Sequence, residues 1–144
     1  MRKPTTHIDE PLDARVIAGR RYVLEEPFVV YSAVIGAYLH IPAGFEFNGH
    51  SVPRPLWWWA PTDDWLEAAC VHDWLYKQGR YFDPEREQYM TLRRRRVDQV
   101  YYDLLRHVGC PRRRALVLHA GVRVGGWVSW RDYRKRQKQG EIIQ

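Results

Sequence analysis

The stretch Trp65-Leu66-Glu67-Ala68-Ala69-Cys70-Val71-His72-Asp73-Trp74-Leu75-Tyr76-Lys77 decides how the rest of the chain is read. It holds neither proline nor glycine, and Asp63 and Asp64 stand before it with N-cap chemistry, so a helix over 65–77 is expected. At 100° per residue Trp65, Ala69, His72 and Tyr76 share one face, and Cys70 and Trp74 lie opposite. A helix apolar on nearly every side belongs in a core. Between Trp65 and Tyr76 only Glu67, His72 and Asp73 are ionisable. A buried carboxylate without a partner is costly, so Asp73 must be paired, metal-bound or protonated.

Toward the C-terminus a second helix fits 92–108, with Val97, Val100, Tyr101, Leu104 and Val108 as its inward stripe. Pro111 suits the first turn of a third helix that reaches about Val124. Gly125-Gly126 then ends it, ahead of a charged tail. Toward the N-terminus the pattern changes to strands. Tyr22-Val23-Leu24, Phe28-Val29-Val30-Tyr31 and Tyr38-Leu39-His40-Ile41 are β-branched and aromatic, and Pro42-Ala43-Gly44 is a turn. Prolines at 53, 55 and 61 forbid a regular helix in the connection from Phe45 to Thr62, which carries Trp57-Trp58-Trp59. Strands first and helices second predict an α+β fold, a small antiparallel strand region followed by about three helices. The expected organisation is a flexible arm over 1–13, one domain over 14–130 and a basic tail over 131–144.

The 144 residues suit a single core, with 45% hydrophobic and 28% charged residues. Two cysteines, Cys70 and Cys110, exclude a disulfide framework and a cysteine-rich zinc site. No apolar run reaches the roughly 18 residues of a membrane span. The N-terminus has no apolar stretch, so no signal peptide is expected. A net charge of +6, arginine runs at 93–96 and 112–114, and the basic segment 134–138 favour polyanionic surfaces. No glycine-rich phosphate loop follows any strand.

His72 and Asp73 are adjacent and point about 100° apart, so each needs its own partner. Asp98, at the margin of the second helix's apolar stripe, is the candidate partner for His72, while Asp103 points outward. A carboxylate that fixes a histidine tautomer, with the other ring nitrogen facing water, is general-base chemistry. Asp73 is then free for a cation. The plain alternative is a satisfied core pair, and it weighs more on residue pattern alone. Likewise the triple tryptophan is a packing plug or a docking platform, and His50 and Ser51 are turn residues or ligands.

The series Ile41-Pro42-Ala43-Gly44-Phe45, Asn48-Gly49-His50-Ser51-Val52-Pro53-Arg54, His72-Asp73-Trp74-Leu75-Tyr76, Asp98 and Val122-Arg123-Val124-Gly125-Gly126-Trp127 resembles the domain-of-unknown-function family 1353. That family is found in tailed phages and prophages, which implies a phage protein without an assigned reaction. Asn48 stands where the family usually has aspartate, and His50 where it has a small residue. More locally, His72-Asp73-x-x-Tyr76 followed by Asp98 is similar to the phospholipase A2 helix. That resemblance implies His72 as base, Asp73 as calcium ligand, Asp98 as orienter and Tyr76 as hydrogen-bonding support. It lacks the disulfides and the glycine-rich calcium loop, for which 44–51 would substitute.

The leading expectation is therefore an accessory or structural phage protein, tail- or virion-associated, located in the virion or the host cytoplasm. Its partners would be other phage proteins or an anionic membrane, docked through Trp57, Trp58, Trp59 and Arg54. The alternative is a metal-assisted hydrolase of lipid or another ester. Its catalytic residues would be His72, Asp98 and Tyr76, and Asp73, Asn48 and His50 would hold calcium or zinc. A nucleic-acid binder is the second alternative, without a recognition motif to accompany the basic runs.

Overall fold

The computed structural model describes residues 2–50 and 64–140. Strands β1 (His7–Ile8), β2 (Ala14–Ala18), β3 (Arg21–Leu24), β4 (Phe28–Ser32), β5 (Ala37–Ile41) and β6 (Glu46–Asn48) come first. Helix α1 (Leu66–Gln78) follows, then a hairpin of β7 (Arg80–Asp83) and β8 (Gln88–Thr91). Helices α2 (Arg94–His107), α3 (Arg112–Gly125) and α4 (Trp127–Lys138) complete the chain. This is the α+β fold that strands first and helices second predict, with four helices rather than three.

All described strand pairs are antiparallel, in two three-stranded sheets of order β1-β4-β5 and β2-β3-β6 and in the two-stranded β7–β8 hairpin. The period-2 pattern of β4 buries Phe28, Val30 and Ser32, and β3 buries Tyr22 and Leu24. Tyr22, Leu24, Phe28 and Val30 join one core with Ala68, Val71 and Leu75 of α1 and with Val97, Val100, Tyr101, Leu104 and Leu105 of α2. No residue of α1 is fully exposed, in keeping with its all-round apolar pattern.

Several features depart from the sequence reading. Asp64 does not cap α1. Trp65 occupies the N-cap position in a left-handed conformation (φ 56°), with no side-chain cap, and the Asp64 carbonyl is taken by His50. Residues 127–138 are helical rather than part of a tail, and α4 lays Trp130 and Tyr133 against the core. In the N-terminal arm, β1 pairs with β4, and the buried Thr6 hydroxyl donates to Asp103 and accepts from the Ala33 N–H. Asp103 thus has a partner of its own. The β7–β8 hairpin lacks the run of β-branched residues that signals a strand. Its turn is held by Asp83, which accepts from the Glu85 N–H at 2.9 Å and from the Arg86 guanidinium at 2.6 Å.

Candidate functional site

Helix α1 carries His72, Asp73 and Tyr76 on adjacent turns, and α2 brings Asp98 against them. His72 Nε2 lies 3.0 Å from Asp98 Oδ1. A carboxylate only accepts, so Nε2 carries a proton and Nδ1 is the nitrogen that faces away from Asp98. Tyr76 donates its hydroxyl to the same Oδ1 at 2.7 Å. The other oxygen, Oδ2, accepts from Arg123 of α3 at 2.7 Å and from Arg94 at 3.4 Å. Arg94 also donates to the Val122 and Arg123 carbonyls, both at 3.1 Å. Asp98 is therefore 0% exposed and saturated. Its burial opposes ionisation, but the donors from His72, Tyr76 and Arg123 outweigh it and hold the carboxyl below the ordinary value. Burial and the bond to Asp98 push the Tyr76 hydroxyl well above its usual range, so it remains a donor.

The opposite side of the imidazole faces differently. His72 is 8% exposed and lines a cleft of about 530 Å³ beside Asp73 and Asn48. Lys77, Glu46 and Arg21 stand at the same cleft, and Gly121, Val122, Gly125, Gly126, Ser129 and Tyr133 form its far wall. His72 Nδ1 is 4.0 Å from Asp73 Oδ1, too far for a direct hydrogen bond and within reach of a shared water. Asp73 Oδ2 accepts the Asn48 N–H at 2.9 Å. One quarter of the Asp73 side chain is open to the cleft. Burial outweighs the help of His72, the Asn48 N–H and Lys77, and pushes its pKa from 3.8 up to about 6.

The structure thus brings His72, Asp73, Tyr76, Asp98 and Asn48 to one place. His50 is set apart from the cleft. It is buried, with Nδ1 2.6 Å from the Tyr101 hydroxyl and Nε2 2.7 Å from the Asp64 carbonyl. The carbonyl fixes the proton on Nε2, so Nδ1 accepts from Tyr101 and both nitrogens are engaged. Burial lowers the His50 pKa, which keeps the ring neutral. Tyr101 in turn packs its ring on His72, centroids 4.7 Å apart. Arg54, Trp57, Trp58 and Trp59 lie outside the described residues.

Among the described residues no three histidine, cysteine, aspartate or glutamate side chains converge as a cation cage. Two carboxylates line the cleft, and Glu46 is engaged by Arg21 at 2.9 Å. The described donor set therefore fits calcium or zinc poorly. Sequence reasoning missed Arg94, Arg123 and Tyr101. Arg94 carries a local signal, four residues before Asp98 on the same helix. Arg123 carries no local signal toward Asp98 beyond its place in the closing motif of the family series, because the packing of α3 on α2 brings the two together.

An α+β domain with a buried His–Asp pair opening on a cleft is the class that fold and site define. The chain belongs to the family described as Protein of unknown function (DUF1353), whose model matches residues 22–122. That span includes every residue of the Asp98 network except Arg123. No curated protein and no solved structure matches the chain.

Proposed function

We propose that the cleft is the active site of a hydrolase acting on esters, with His72 as general base. One observation carries this reading: Nε2 of His72 is locked to a saturated, fully buried Asp98 while the ring lines an open cleft beside Asp73. A core pair needs no such opening. In the reaction, a water between Nδ1 and Asp73 adds its oxygen to the ester carbonyl and gives its proton to Nδ1. Asp98 stabilises the imidazolium that forms, and the Asp73 carboxylate adds to that stabilisation from the cleft side. Collapse of the tetrahedral adduct breaks the bond to the leaving oxygen, which takes the proton from Nδ1. No step passes through a metal.

A second reading is an accessory or structural component of a phage particle. The saturation of Asp98 by four contacts favours it, since a core pair would be satisfied in the same way.

Initial rates on phospholipid vesicles and on a soluble ester test the proposal. His72→Ala is expected to lose about 10²–10⁴ of the turnover while staying folded. Turnover lost to chelation and restored by calcium or zinc would assign a cation to Asp73. Turnover unchanged by chelation leaves proton transfer as the whole mechanism. No turnover by the wild-type protein on either ester would favour the structural reading.

A further inference from the structure

The outer face of α3 and α4 carries an apolar stripe that nothing in the site uses. Val117, Ala120, Val124, Trp127 and Val128 are all exposed, Val124 at 77% and Trp127 at 50%. The helical screw continues across the junction, because the Gly126 N–H donates to the Val122 carbonyl and the Trp130 N–H to the Gly126 carbonyl. At 100° per residue Val117, Val124 and Val128 therefore fall within about 40° of one another, with Ala120 and Trp127 flanking them on one side. The ends of the stripe are basic. Exposed Arg113 precedes it, and exposed Arg131 and Lys135 follow on the same face. The neighbouring face of the same two helices is the far wall of the cleft, through Gly121, Gly125 and Ser129.

We propose that this stripe docks the protein on an anionic lipid bilayer, with the cleft mouth beside the contact. Aliphatic side chains between basic ends match an acyl boundary under acidic headgroups, and an exposed indole suits the same depth. The net charge of +6 adds long-range attraction. Other occupants fit less well. Two copies face to face would oppose like charges at both ends. A nucleic acid would find three valines without a stacking face or a donor. Arg131 lies against the Trp127 indole, its guanidinium carbon 5.0 Å from the centroid, and leaves the ring half exposed. The docking surface does not depend on ester hydrolysis.

The test is co-sedimentation of the full chain, in a His72→Ala background, with vesicles of phosphatidylglycerol and phosphatidylcholine or of phosphatidylcholine alone. Binding is expected on the acidic vesicles only, and it should weaken with salt. The double change Val124→Ser with Val128→Ser should reduce it at least about tenfold, as should Arg113→Glu with Lys135→Glu. All four positions are exposed, and circular dichroism confirms the fold of each variant. No binding to acidic vesicles, or equal binding by the valine variant, overturns the proposal. So does a dimer of the His72→Ala protein that the valine changes dissolve, or tighter retention on oligonucleotide that the valine changes leave intact. Because the catalytic base is absent throughout, these outcomes are independent of any turnover.

Discussion

Asp98 and Asp73 are two carboxylates a few ångströms from one histidine with opposite electrostatics. Asp98 takes His72 and Tyr76 on Oδ1 and the two arginines on Oδ2, and these donors hold the buried carboxylate ionised. Removing the charge in Asp98→Asn leaves Arg123 and Arg94 facing a neutral amide in a buried setting. The cost should be about 3 kcal/mol in urea unfolding. Asp103→Asn, which disturbs one half-buried bond to Thr6, should cost about 1 kcal/mol. Similar losses at the two sites would contradict the network. Asp73 behaves the other way. Its folded pKa, about 6, lies above the ordinary 3.8, so the folded state holds the proton more tightly. Its contribution to stability is complete below about pH 4 and is lost as pH rises through about 6. Asp73→Asn should therefore gain on the order of 2 kcal/mol over wild type above pH 7, and nothing below pH 4. Thermal melts across that range measure it, and a gain that is equal at both ends would contradict the assignment.

At the scale of elements, α4 holds the end of α1 that carries the site. Arg134 donates to the Tyr76 and Lys77 carbonyls at 2.6 and 2.7 Å, and Gln137 to the Lys77 and Gln78 carbonyls at 3.2 and 2.8 Å. These are the unpaired carbonyls of the last helical turn. The approach depends on Gly79, which ends α1 at φ 63°, and a Cβ there would lie 1.5 Å from the Arg134 guanidinium. Gly79→Ala should cost about 2 kcal/mol, from the left-handed backbone and the displaced arginine together. Combined with Arg134→Ala, the two losses should fall short of additive, since the first change already expels the arginine. Additive losses would show that the cap does not use Gly79. None of this was legible in the chain, where 134–138 reads as a solvated basic run. Helix α2 was legible from its apolar stripe, and α1 from a proline-free run apolar on nearly every side. Helix α3 was legible from Pro111 at its start and Gly125-Gly126 at its end, and β3, β4 and β5 from their β-branched and aromatic residues. The hairpin at 80–91 was not, because Tyr81, Phe82, Tyr89 and Met90 alternate with nothing that marks a buried face.

Across the whole molecule, the site depends on three helices meeting at one carboxylate. The pairing of His72 with Asp98 was readable from residue type and helical position. The saturation of Asp98 was not, because it needs Arg123 from a third helix. The open side of His72 was hidden as well, since the cleft forms only where the glycines of α3 and the residues of α4 face α1 and β6. That openness separates a base from a core histidine, and the proton on His72 reports it. Nitrogen-15 NMR of the imidazole, in the full chain with and without a soluble ester analogue, reads that proton directly. The expected result is the neutral ring protonated at Nε2, with an unprotonated Nδ1 whose signal shifts when the analogue enters the cleft. Protonation at Nδ1, or a signal indifferent to the analogue, would contradict His72 as the base.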